Sequence, residues 1–145
     1  MARFTAVPDD LQAPARALSR QERLAEILRR DGGECVWCGR SLVGPDDSRR
    51  GRALVRATTD HLIPKLKGGP SWMENEVAAC ARCNRARGHR SPAAWLEDCE
   101  RLGLTPNREV IVRCLSALGA AIEANGGQRR ARPYLAAQLR RLTKP

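Results

Sequence analysis

The chain has 145 residues and carries 26 Lys and Arg against 16 Asp and Glu, a formal net charge of +10. That length suits one compact domain with extensions, and aromatics at only 3% leave a core of Leu, Ala, Val and Ile that a structural metal would help to hold. No run of about 18 apolar residues is present, which excludes a membrane-spanning helix, and the charge excess favours an anionic polymer as partner.

In chain order, residues 1–18 contain Pro8 and Pro14 with little periodicity and read as an N-terminal arm. No apolar stretch follows Met1, so the expected location is cytoplasmic. Ser19-Arg20-Gln21-Glu22 is a capping box, in which hydroxyl and carboxylate each satisfy a free backbone N–H. Leu24, Ile27 and Leu28 then share a face, predicting a helix over about 20–30 that stops at Asp31-Gly32-Gly33. Gly44-Pro45-Asp46-Asp47-Ser48 marks a turn. Val55, Thr58 and Thr59 predict a strand over about 53–59 that ends at Asp60-His61. Pro64 and Gly68-Gly69-Pro70 make the next stretch an irregular loop, and 76–79 is a second short strand. Asn84 is expected to open a helix to about Arg87 or His89. Ser91-Pro92 caps another helix, and further helices are expected over about 107–124 and around Leu135, Leu139 and Leu142. The predicted fold is α+β and mostly helical: a central core over 19–91, then a helical extension with a basic tail over 92–145.

The chemistry concentrates between two Cys-x-x-Cys pairs, Cys35/Cys38 and Cys80/Cys83. Four soft thiolates are the ligand set of a closed tetrahedral zinc site. Without an export signal, six cysteines favour metal over disulfides. The 41 residues between the pairs are too many for a simple finger, so the intervening loop should build something of its own. It contains His61, whose imidazole can be neutral near pH 7 and act as a general base. Asp60 offers a carboxylate oxygen and Asn84 an amide oxygen, an oxygen-rich pair suited to Mg²⁺ or Mn²⁺. Competing readings stay open: Asp60 as a turn residue, and Asn84 as a helix cap. Adjacent strand residues point to opposite faces, so Asp60 and His61 can address one group only if the chain bends there.

Asp60-His61-Leu62-Ile63-Pro64, Gly68-Gly69, Asn75 and Cys80-x-x-Cys83-Asn84-x-x-Arg87-Gly88 together resemble the HNH endonucleases. The resemblance spans residues 35–90 and is to the four-cysteine zinc subgroup in its HNN variant, with Asn84 where a last His often stands. It implies a ββα-metal fold that cuts DNA phosphodiesters with one catalytic divalent ion and structural zinc, leaving 5′-phosphate and 3′-hydroxyl ends. It also implies that Asn75 braces the loop behind His61, and that Arg87, where the family often has Lys, contacts a phosphate.

Of the 26 basic residues 23 are Arg, the better fork for phosphate oxygens. Arg49, Arg50, Arg52 and Arg56 beside the first strand, with Arg85, are expected to contact DNA. Arg129, Arg130, Arg132, Arg140, Arg141 and Lys144 form either a solvated face with a frayed tail or a track along the DNA backbone. Cys99, Cys114, Trp37, Trp72 and Trp95 read as packing residues, and His89 as a surface residue. The alternatives to a nuclease are a non-catalytic zinc module that binds DNA and a component of a phage or restriction assembly. The sequence leaves the DNA site, strandedness and oligomeric state open.

Overall fold

The computed structural model describes residues 17–44 and 55–145. Residues 1–16 of the expected arm, the turn residues after Gly44, and Arg49, Arg50 and Arg52 lie outside them.

Helix α1 spans Arg20–Arg30, and Ser19 Oγ accepts from Glu22 N, as a capping residue must to satisfy a free amide. Its C-terminal Asp31 turns inward and accepts from Ala78 N at 2.8 Å, which ties α1 to the sheet. The first cysteine knuckle follows. Cys35 N donates to Arg40 O and Gly39 N to Cys35 O, a tight reversal that puts Gly39 at φ +80°, a left-handed conformation in which a side chain would be strained.

The sheet has two antiparallel strands, β1 (Ala57–His61) and β2 (Glu76–Cys80), with Ala57 opposite Cys80 and His61 opposite Glu76. The first strand runs further than expected and takes in Asp60 and His61. Ladder pairing continues through both, so the chain bends only after His61, over Leu62 to Pro64. All five β2 residues are buried, because α1 and later helices cover the strand.

Helix α2 (Ala81–Arg87) begins on Cys80, whose sulfur accepts from Cys83 N, and not on Asn84, which lies inside the helix. Ser91 caps α3 (Pro92–Arg101) through Ala94 N, and Asn107 caps α4 (Arg108–Asn125) through Val110 N. Helix α5 (Ala131–Leu142) packs on α3 and α4. Gln138 of α5 accepts from Ala93 N, satisfying a free amide of α3 from a neighbouring element. The core is Ile27, Leu62, Ile63, Val77, Leu96, Ile111, Leu115 and Leu118, and includes Cys99 and Cys114 as expected. Each such aliphatic side chain contributes roughly 1.5–3 kcal/mol on burial. No described helix is long and apolar enough to cross a membrane.

Candidate active site and metal centre

The two knuckles meet. The Sγ atoms of Cys35, Cys38, Cys80 and Cys83 all lie within 4.8 Å of one another, and Cys38 and Cys80 are 3.9 Å apart. Tetrahedral zinc with bonds of about 2.3 Å needs sulfurs about 3.8 Å apart, so the cage fits a metal ion in donor type and in spacing. The crowding makes the thiols share protons. The Cys83 hydrogen bond draws Cys35 down to about 5, whereas burial pushes Cys38 up to about 11. That hydrogen bond and burial push Cys83 well above the usual thiol range. A dication would replace those shared protons.

Above the knuckles, the loop between the strands is braced by Asn75. Fully buried, it accepts from Ile63 N at 2.8 Å and donates to Ile63 O and Pro70 O. Gly69 lets the loop close against that brace: a Cβ there would stand 1.8 Å from Ile63 O.

His61 opens on a cleft of about 620 Å³ whose walls include Arg20, Arg23, Arg56, Lys65 and Glu76. Its Nε2 lies 3.2 Å from Ser71 Oγ and 3.9 Å from Glu76 Oε1. Burial lowers the imidazole pKa below 6.5, against the opposing pull of Glu76, so the ring is neutral at physiological pH. Four cationic side chains around a neutral imidazole suit a polyanion bound with its backbone over the ring.

Asp60 faces the other way. Together with Thr58, two residues earlier, it lies on the face of β1 turned toward α2. Both its hydrogen bonds fall on Oδ2, from Trp37 Nε1 at 2.8 Å and from Arg87 at 2.9 Å. Asn84, on the same side, uses its amide nitrogen on Thr58 Oγ1 and Thr59 O, both at 3.1 Å. Asp60 and Asn84 therefore share a face, and Thr58 and Thr59 connect that face to the His61 cleft. As a pair of hard oxygen donors they fit a divalent cation in type.

Arg87 departs from expectation. It is fully buried, stacks 5.1 Å from the Trp37 ring centroid, and donates to Asp60 and to the carbonyls of His61, Leu62 and Arg90. A guanidinium so engaged cannot reach a phosphate; it locks the β1 turn instead. Arg85 and Arg56 are exposed. Helix α5 continues to Leu142, so the C-terminal basic residues are not a frayed tail up to that point, and Arg130 donates to Leu66 O beside the cleft loop.

Sequence reasoning missed Ser71, Glu76, Arg20, Arg23 and Lys65. Only the strand register and the approach of α1 to the sheet bring them together, and no local motif announces either. Trp37 was expected to pack by the knuckle, and its hydrogen bond to Asp60 was not foreseen.

Residues 51–99 match the HNH endonuclease family. The central unit is therefore similar to an HNH endonuclease domain. The chain is also similar to the CRISPR-associated endonuclease Cas9 of Corynebacterium diphtheriae, at 24% identity over 86 residues, 59% of this chain and 7% of that protein. Among solved structures, the Type II-C Cas9 enzyme from Actinomyces naeslundii aligns with a TM-score of 0.47 and 18% identity, over 92% of this chain and 14% of that one. The chain thus spans a small part of each relative.

Proposed function

We propose that the protein is a metal-dependent DNA endonuclease of the HNN type. The family match over 51–99, joined to a neutral imidazole in a cleft walled by cations, carries this reading. In it, His61 takes a proton from the attacking water. Arg20, Arg56 and Lys65 hold the phosphates on either side of the scissile bond. Asp60, through Oδ1, and Asn84, through its amide oxygen, hold one Mg²⁺ or Mn²⁺, which when bound relieves charge on a non-bridging oxygen and on the leaving 3′ oxygen. Arg87 and Trp37 fix the Asp60 carboxylate by its other oxygen. Asn75 fixes the loop that follows His61. The four cysteines hold zinc and take no part in the chemistry. The products carry 5′-phosphate and 3′-hydroxyl ends.

One observation favours a second reading, a zinc module that binds DNA without cutting it: Asp60 is buried under Arg87 and Trp37, on the face of β1 opposite His61. Supercoiled plasmid incubated with the protein and Mg²⁺ or Mn²⁺, with and without EDTA, separates the two. Nicked or linear product that EDTA abolishes supports the nuclease; retarded but intact plasmid under every condition supports the binding module.

A further inference from the structure

Glu76 is a buried carboxylate, 5% exposed, that the chemistry above does not use. It is the first residue of β2 and the ladder partner of His61. Its Oε1 lies 3.9 Å from His61 Nε2, and its Oε2 is paired with Arg23 Nε from α1. Ser71 Oγ stands 3.2 Å from the same imidazole nitrogen.

A neutral imidazole carries its proton on one nitrogen only, and the groups around the ring decide which. A carboxylate facing a bare nitrogen lone pair is repelled, whereas one facing an N–H is attracted. The Ser71 hydroxyl can serve either tautomer, since it both donates and accepts. Glu76 cannot, because an ionised carboxylate only accepts. The pairing with Arg23 fixes it in place.

We propose that Glu76 is the positioning residue of His61: its carboxylate selects the tautomer protonated on Nε2, Ser71 Oγ accepts from that N–H, and Nδ1 is left as the bare nitrogen that takes the proton from water. The last clause rests on the nuclease reading; the choice of tautomer does not. Glu76 acts only through the ring and touches no substrate. A purely structural role, anchoring α1 to the sheet through Arg23, would leave the tautomer indifferent to its charge.

The chain has 2 histidines, and His89 is exposed, so ¹⁵N-imidazole spectra of the metal-loaded full chain resolve two rings. At a pH where His61 is neutral, the wild type is expected to show a protonated Nε2 and a bare Nδ1. A bare Nε2 would overturn the proposal with no variant needed. Glu76→Gln keeps the size but can turn an amide N–H toward the ring. It is expected to move the population toward the Nδ1–H form and to lower kcat about 10- to 100-fold with KM for DNA little changed. An unchanged tautomer with kcat within about twofold would refute it. A wild type with the expected tautomer and no cleavage would sink the nuclease reading alone; cleavage with the tautomer unmoved by Glu76→Gln would sink this one alone.

Discussion

Arg87 brings a positive charge into the interior with each contact arranged. The side chain is fully buried, its guanidinium reaches Asp60 and three carbonyls, and Trp37 covers its face. Removing it leaves the Asp60 carboxylate buried with only Trp37 as donor, and breaking such a pair costs about 3–5 kcal/mol. Arg87→Met should lose stability on that scale in urea denaturation, and adding Asp60→Asn should recover part of it. A loss below about 1 kcal/mol would mean that the pair is not what holds the turn. His61 supplies a second test at this scale. In the proposed mechanism its neutral form is the competent one, and burial lowers its pKa below 6.5. Single-turnover cleavage at saturating metal should therefore be level above pH 6.5 and fall on acidification, with a midpoint below that value. A rate that stays flat down to about pH 5 would argue against an imidazole base. Of the site residues, His61, Asp60, Asn75 and Asn84 were legible because they lie inside a motif of fixed spacing. Ser71, Glu76 and Arg23 were not, since a register and a helix docking, both long-range, place them beside the ring.

At the scale of elements, the helices were the most legible part. Ser19, Ser91 and Asn107 each cap where a Ser or Asn precedes an apolar periodicity, because a short polar side chain satisfies a free amide wherever the chain enters a helix. Helix α2 was misplaced because Cys80, one of the four clustered cysteines, takes the cap position that sequence preference assigns to Asn84. Strand β1 ran past its expected end because Asp60 and His61, poor strand formers, are held there by pairing with β2 and by Arg87 and Trp37. The inter-strand loop depends on one close approach. Gly69→Ala would drive a methyl group into the Ile63 carbonyl and against the Asn75 amide. Overpacking of this kind costs about 1–3 kcal/mol or more. The variant should lose cleavage through a displaced His61 while its four-thiolate metal content persists. Wild-type activity in Gly69→Ala would show that the loop tolerates opening.

For the molecule as a whole, the four-cysteine cage links the segment after α1 to the β2–α2 junction across 41 intervening residues. In a chain so poor in aromatics, metal binding and folding of this unit should be coupled. Chelation, or Cys80→Ser, should unfold this central unit as read by circular dichroism, with loss of bound zinc in parallel. An intact fold without metal would contradict the coupling. The net charge of +10 and the cations around the cleft predict DNA affinity that falls steeply with salt. Composition supports that expectation but does not say which arginines would serve it: Arg87 is internal, whereas Arg20 and Arg23 of α1, outside the cysteine-bounded motif, line the cleft. The most direct test of the whole account is end-mapping of duplex DNA treated with metal-loaded wild type and with His61→Ala. The account predicts 5′-phosphate and 3′-hydroxyl termini from the wild type, and from His61→Ala a loss of at least about 10²-fold in cleavage with DNA binding and zinc content retained. Cleavage by His61→Ala at the wild-type rate, or none by a folded, zinc-loaded wild type, would contradict it.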